Sequence, residues 1–383
     1  MDVPFTKPMR TPSEISLIEE VLSTGKSWGG GRFTQLSQEF LTSSFGSKAS
    51  ILTTSATDAL EMSAVLLDIK PGDEVIVPSY TFVSTANAFV SRGAIPVFVD
   101  VHRANQLIDP SLVEAAITDR TVAILPVHYG GNSCDMPKLN SIAKNFDLKV
   151  VEDAAQAIGA KKDGVQVGSQ GDLSCISFHG TKNIVSGEGG ALMIRDDKLV
   201  ERAHHVSEKG TNRRDFINGR IDKYTWVDLG SSFIPSEILA AYLWAQLQCL
   251  DEITKRRVET WTQYQEALNS ERELMDSMGI FIPEETSLNG HLFPIIFNNR
   301  RDRDAFIEGM REKSIEAVTH YTALHSSAGG RKYGRLGSTM ENTDWVTSGL
   351  VRLPIWSQEG LPTERILEAA KSVIAQMRVK PQA

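Results

Sequence analysis

Cysteine is scarce in this 383-residue chain, with Cys134, Cys175 and Cys249 the only three. That is too few, and too scattered, for a disulfide framework or a Cys-rich zinc site. Cys175 sits in an apolar run and is expected to pack as inert core. No run of about 18 apolar residues occurs, so no membrane span is expected. The opening stretch MDVPFTKPMRTPSE has no apolar segment of the signal-peptide kind, which makes a cytoplasmic protein the expectation. Positive charge is in deficit as well: 40 Lys and Arg stand against 48 Asp and Glu, a net charge of -8. Such a balance argues against a general nucleic-acid or anionic-membrane surface, and leaves room for a local basic pocket for a phosphorylated ligand. The nucleotide fingerprints are missing too. No G-x-G-x-x-G follows a strand and opens a helix, and no G-x-x-x-x-G-K-[ST] occurs. WGGGRF (Trp28 to Phe33) lacks a preceding strand and reads as a flexible turn or substrate loop. His204 and His205 are adjacent, poor geometry for sharing a metal on a helix; they read as surface residues, and no metal is expected.

What is present is a succession of short apolar runs separated by helix-like segments. The expected strands are Glu74–Pro78, Ile95–Val99, Val122–Val127, Leu148–Glu152, Leu173–Phe178 and Ala191–Ile194. Amphipathic stretches such as Ser84–Ser91, Pro110–Ile117 and Pro137–Lys144 lie between most of them. This alternation predicts an α/β fold with a mostly parallel sheet flanked by helices. Only about a dozen residues, without a clear helix, join the last two runs, so their pairing is the least determined. After Pro235 a long helical periodicity suggests a spine connecting two domains. Strand-like pieces (HLFPIIF, SIEAVTHY) and a terminal helix (Pro362–Met377) follow. The expected division is a large α/β domain over residues 1–250 and a smaller α+β domain over 251–383.

Ligands of open α/β sheets gather beyond the carboxyl ends of the strands, and four segments deliver chemistry there. Ser55, Ala56 and Thr57 precede an apolar-periodic helix, where free amides and the helix dipole suit a phosphate. The same residues also read as a plain capping box of Ser55 with Asp58. Asp153 stands just past a strand, either capping a helix or holding a proton on a heterocyclic nitrogen. Phe82 follows another strand, either as core or as a flat face for a planar cofactor. Lys182, in SFHGTKNIVSGEGGALMI, has small or apolar neighbours, which makes plain solvation a poor account of it. An anion cradle, an aromatic, an acid and an amine together meet the needs of pyridoxal phosphate, with Lys182 as the Schiff-base lysine.

Five segments, GDEVIVPSYTFVSTANAFV, VEDAAQA, SFHGTKN, GEGGALM and RLPIW, resemble the DegT/DnrJ/StrS sugar-nucleotide aminotransferases, fold-type I pyridoxal-phosphate enzymes. The resemblance runs from about Val3 past Trp356. It implies that Lys182 binds the cofactor covalently and then moves the proton. It implies further that Asp153 pairs with the pyridine nitrogen, Phe82 stacks on the ring, and Ala56, Thr57 and Ser177 contact the phosphate. Gln156 would lie near the phenolic oxygen and His179 close to the lysine. L-glutamate and a dTDP-keto-sugar are the implied substrates, and an obligate homodimer with its active site at the subunit interface the implied assembly. For the nucleotide sugar the candidates are Lys209, Asn212, Arg213, Arg220 and Lys223, a charged loop on the plainer reading, with Tyr321 and His325. Two departures stand out. Ile234 lies near the position where many relatives carry an Asn, so that contact passes to Ser231, Ser232 or Asn212. YTALH replaces the usual Y-x-P-L-H, which is expected to loosen that loop. Relatives with histidine in place of the lysine are dehydratases, and Lys182 argues against that outcome.

Overall fold

The computed structural model describes residues 1–285 and 287–379. The apolar runs become strands: β1 (Ala49–Thr53), β2 (Glu74–Pro78), β3 (Ile95–Val99), β4 (Thr121–Ile124) and β5 (Lys149–Asp153). A small hairpin, β6 (Lys161–Lys162) and β7 (Val165–Gln166), precedes β8 (Leu173–Ser177) and β9 (Gly190–Ile194). Later come β10 (Phe293–Ile296), β11 (Val318–Thr319), β12 (Arg335–Leu336) and β13 (Leu350–Leu353). Eight of them form one sheet in the order β1-β9-β8-β5-β4-β2-β3-β12. Every neighbouring pair from β8 to β12 is parallel. Only β9 runs against its neighbours β1 and β8. A parallel return requires a crossover, usually a helix, and residues 178–189 contain none. The short link therefore resolves into an antiparallel pair.

β2, β8 and β9 are buried along their whole length, as continuous apolar runs under helices should be. Helices Ala56–Leu66, Val83–Val90, Pro110–Ala116 and Met136–Asn145 connect and cover the strands. β1 is an addition to the expected set; only Ile51 and Leu52 mark it as apolar. Beyond the sheet, β10, β13 and β11 form a separate antiparallel sheet. It shares a core with Trp261, Tyr264, Phe306 and Ile374, and Val3 is recruited from the opposite end of the chain. The expected spine is two helices, Glu237–Leu247 and Leu250–Asn269, interrupted at Gln248 and Cys249.

Two buried carboxylates tie distant segments together. Glu74 is inaccessible to solvent and meets Arg335 and Arg120, each through a 2.6 Å contact. Arg335 belongs to β12, so this ion pair fastens the late edge strand to β2. Glu237 accepts hydrogen bonds from the amides of Gly31, Phe33 and Thr34 at 2.9–3.0 Å and from the Thr34 hydroxyl. These amides open the helix Arg32–Phe45, whose orphan donors need an acceptor. WGGGRF is thus a fastened helix start and not a loose loop. A Cβ on Gly31 would fall 2.7 Å from Glu237, and one on Gly29 2.2 Å from the Pro235 carbonyl oxygen. His204 and His205 are half-buried and not surface residues, because their helix Asp197–Ser207 packs against the neighbouring Arg213–Ile217.

Candidate active site

The carboxyl ends of β1, β2, β4, β5 and β8 open onto one cavity of about 630 Å³. Ser55, Ala56 and Thr57 line it from the start of the helix after β1. The Ser55 side chain accepts from the Asp58 amide at 3.1 Å, so the capping reading holds. It leaves the first two amides, those of Ala56 and Thr57, free for an anion. The Asp58 carboxylate accepts from Thr54 and does not line the cavity. Opposite this turn Gly190 begins β9, where a Cβ would meet Ser55 and Ala56 backbone atoms at 2.4–2.5 Å. Only glycine lets the two segments approach so closely. Thr57 and Ser84 share a 2.7 Å hydroxyl contact, and Ser177 completes this end of the cavity.

Asp153 is the last residue of β5 and is buried. Its carboxylate accepts from the Thr85 hydroxyl at 2.7 Å and the Ala155 amide at 3.1 Å. No helix follows, so it caps none; both bonds instead hold the acid in one orientation. Lys182 lies on the turn after β8, half-buried, its backbone amide bonded to the His179 carbonyl at 2.9 Å. Among the described residues its ammonium has no hydrogen-bond or ion-pair partner. Burial pushes its pKa down to about 8, with Asp153 opposing the shift and Arg352 adding to it. A lysine so placed is a nucleophile near neutral pH.

Phe82 is 55% exposed at the mouth of the cavity and lies 6.1 Å from the Tyr321 ring. Gln156 donates to the Tyr321 hydroxyl at 2.9 Å and accepts from the Gly130 amide at 2.6 Å. His179 is exposed at the mouth, 2.9 Å from the Thr181 hydroxyl and 3.6 Å from Glu188. Lys182, Ala56, Thr57, Phe82, Asp153, Gln156, Ser177, His179 and Tyr321 therefore share one cavity. Lys209, Asn212, Arg213, Arg220, Lys223 and His325 do not line it. Arg213 pairs with Glu208 at 2.9 Å and Arg220 with Asp215 at 3.3 Å, while Asn212 accepts from the Thr225 amide. His325 and Leu324 are bonded to Ser79, which fastens the YTALH turn to the end of β2. Ser231 and Ser232 are exposed elsewhere, and Ile234 lines a separate cleft with Trp28.

Several lining residues receive no role from the sequence pattern, although one of them, Arg352, opens the RLPIW segment. Arg352 comes from β13, stacks 4.5 Å over Phe5, and donates to the Thr319 carbonyl at 3.0 Å. His128, fully buried, is bonded to Glu152 at 2.8 Å, which fixes the segment whose backbone pairs with Asp153. His291 and His320 arrive from HLFPIIF and SIEAVTHY, stretches legible only as strands. Away from the cavity, ligand atoms of Glu201, His205 and Asp215 lie within 4.8 Å of one another. Arg220 already pairs with Asp215, and Arg214 and Lys48 line the same cleft, so positive charge surrounds the cluster.

The profile of the DegT/DnrJ/EryC1/StrS aminotransferase family matches residues 8–374, and the chain belongs to that family. Among solved structures it is similar to the aminotransferase TlmJ from Streptoalloteichus hindustanus, at 25% identity over 98% of this chain and 100% of that one, with a TM-score of 0.88. DesV from S. venezuelae is 29% identical over 94% of both chains, TM-score 0.84. A family member from Brucella abortus is 26% identical over 96% of this chain and 95% of that one, TM-score 0.84. The protein is a pyridoxal-phosphate-dependent aminotransferase. Its cavity fits that cofactor: helix amides for the phosphate and an amine, all unpaired among the described residues, with a fixed carboxylate for the ring nitrogen and an aromatic face.

Proposed function

We propose that the protein transfers the amino group of L-glutamate to dTDP-4-keto-6-deoxy-D-glucose, giving dTDP-4-amino-4,6-dideoxy-D-galactose and 2-oxoglutarate. The observation that carries the transamination is the Lys182 amine, without a partner among the described residues and in one cavity with Asp153, where burial pushes its pKa down to about 8. The sugar is supported by EKGTNRRDFINGRIDKYTWVDLGSS and AAYLWAQL, which resemble dTDP-4-amino-4,6-dideoxygalactose transaminases.

When bound, pyridoxal phosphate supplies a carbonyl for exchange of the amino group and a ring that takes up the electron pair released at the reacting carbon. The chain supplies the rest. Ala56 and Thr57 amides, with Thr57, Ser84 and Ser177 hydroxyls, would bind the phosphate. Asp153, steadied by Thr85, would keep the ring nitrogen protonated. Phe82 would cover a ring face and exclude water from it. Lys182, once free, removes a proton from the substrate carbon and returns it, the work of a general base poised near neutrality.

Apolar exposure supports a homodimer as the working form. Trp226 is 78% exposed, and Phe216, Ile217, Val227 and Leu229 also stand in solvent on the stretch that carries the basic candidates. A second copy of the chain is the proposed cover, and it would bring that stretch toward its neighbour's cavity.

Mass spectrometry and NMR of the product from dTDP-4-keto-6-deoxyglucose plus glutamate test the reading. The expected product carries an axial amine at C4. Amination at another carbon, or an equatorial amine, would refute the sugar assignment. Borohydride treatment of the purified protein should leave a cofactor-sized mass on the Lys182 peptide; addition elsewhere would refute the role of the lysine.

A further inference from the structure

The helix Val83–Val90 starts where several parts of the cavity meet. Phe82 precedes it at the mouth, Ser84 touches Thr57, and Thr85 donates to Asp153. Its N-cap, Phe82, makes no side-chain capping bond, although a threonine, Thr81, stands immediately ahead of it. A hydroxyl beside a helix start commonly satisfies one of the orphan amides. Thr81 is engaged elsewhere: its Oγ1 lies 2.8 Å from Thr85 Oγ1, and both side chains are buried.

Counting hydrogens gives this contact a direction. A threonine hydroxyl carries one hydrogen, and that of Thr85 lies on Asp153 Oδ2 at 2.7 Å. The hydrogen between the two threonines is therefore that of Thr81, and Thr81 donates to Thr85. The chain runs one way, from Thr81 through Thr85 to the carboxylate. Each bond in such a chain polarises the next, so the carboxylate is held more firmly than by an isolated hydroxyl. A second effect concerns the rotamer. Helical threonines turn their hydroxyl back to the carbonyl three or four residues earlier when nothing else claims it. For Thr85 those carbonyls belong to Phe82 and Thr81, and bonding to either would take its hydrogen away from Asp153. Donation from Thr81 favours the rotamer that serves the acid. The remaining bond to Asp153, from the Ala155 amide at 3.1 Å, is backbone and leaves Thr85 as the support that can turn.

We propose that Thr81 is a positioning residue for Asp153: acting through Thr85, it keeps the carboxylate aimed at the cofactor's ring nitrogen. The inference rests on Asp153 as the partner of that nitrogen and not on the identity of the sugar. Thr81 also lines the cavity, so its action through Thr85 has to be separated from a direct contact with the cofactor.

Equilibrium dialysis of the full chain, freed of cofactor, compares pyridoxal phosphate with 1-deaza-pyridoxal phosphate. The analogue has a C–H in place of the ring nitrogen and offers Asp153 nothing to pair with. Wild type should bind pyridoxal phosphate more tightly than the analogue. Thr81→Val should weaken pyridoxal phosphate roughly 5-fold, the worth of one hydrogen bond, and leave the analogue unchanged. Thr81→Ser, which keeps the hydroxyl, should restore wild-type binding. In a Thr85→Val background Thr81→Val should have no further effect. Equal weakening of both compounds, weakening of neither, or an undiminished effect in the Thr85→Val background overturns the proposal. Should Thr81→Val fail to fold, Thr81→Ala removes the same hydroxyl with less bulk and has the same expected and overturning results. Asp153→Asn separates two kinds of failure. If it abolishes the preference for pyridoxal phosphate while Thr81→Val leaves that preference intact, this proposal alone falls. If wild type shows no preference, or Asp153→Asn does not reduce it, the role of Asp153 falls and this proposal with it. None of these readouts involves a sugar, so failure of the substrate assignment leaves the result standing.

Discussion

Gln156 and Tyr321, 165 positions apart in the chain, meet through a 2.9 Å hydrogen bond at the wall of the cavity. The amide comes from the segment after β5 and the phenol from the segment after β11, so the contact joins the large sheet to the C-terminal α+β region. Tyr321→Phe removes the acceptor while keeping the ring against Phe82. Steady-state kinetics should show KM for the keto-sugar raised roughly 10-fold, about the worth of one hydrogen bond, with kcat less affected. A fall in kcat alone would place the phenol in the chemical step instead.

Asp153→Asn keeps the size of the side chain but removes its charge. The Thr85 hydroxyl can still donate to the amide oxygen, so the fold should be unchanged by circular dichroism. Turnover should fall by roughly 10²- to 10⁴-fold, the usual contribution of a positioned proton-holding group. Cofactor content, read by absorbance after dialysis, should fall as well. Retention of full activity would remove Asp153 from the mechanism.

Glu74 couples pH to stability. The hydrogen bond from Arg335 lowers its pKa below the ordinary 4.5, against the opposing effect of burial. A carboxylate depressed on folding stabilises the protein above its unfolded pKa, and that stability is lost as pH falls through the folded value. Thermal melting of Glu74→Gln should therefore differ from wild type at pH 7 and converge with it below pH 4.5. At neutral pH the substitution should cost roughly 2 kcal/mol, the scale of lost hydrogen bonds to a charged group, because the stranded Arg335 and Arg120 can still reach solvent. A difference that persists unchanged into acid would assign the effect to packing.

Glu237→Ala would strip the helix Arg32–Phe45 of the carboxylate that accepts three of its opening amides. The expected loss is about 2–3 kcal/mol by urea denaturation, the range for buried donors left unpaired. Hydrogen exchange should show the loss concentrated at Gly31, Phe33 and Thr34. Uniform exchange along the chain would mean that the clamp has no local role.

The site was legible in the sequence wherever a side chain follows a strand directly. Asp153, Phe82 and Lys182 each stand within a few positions of a recognisable apolar run, and parallel-sheet geometry then brings them together. Residues delivered from elsewhere were not legible. Thr85 acquires its role only because its helix sets it against Asp153; His291 enters just ahead of β10, and Arg352 from β13, where the RLPIW segment marks the family but not what this side chain does. WGGGRF misleads for the same reason, since the carboxylate that organises it lies about 200 positions later at Glu237. The basic stretch from Lys209 to Lys223 satisfies much of its charge locally, a pairing that residue types alone do not distinguish from a ligand site. β1 escaped notice because two apolar residues between polar neighbours give too short a signal for any period.

The late arrival of β12 has a consequence for synthesis. Until Arg335 and Leu336 leave the ribosome, the outer edge of β3 has no neighbour, although every other strand of the large sheet has long since emerged. An uncovered parallel edge is a template for unwanted pairing between nascent chains. Translation arrested before residue 335 should therefore yield a product that needs chaperone protection, and the Arg335–Glu74 ion pair becomes the event that ends this vulnerable interval.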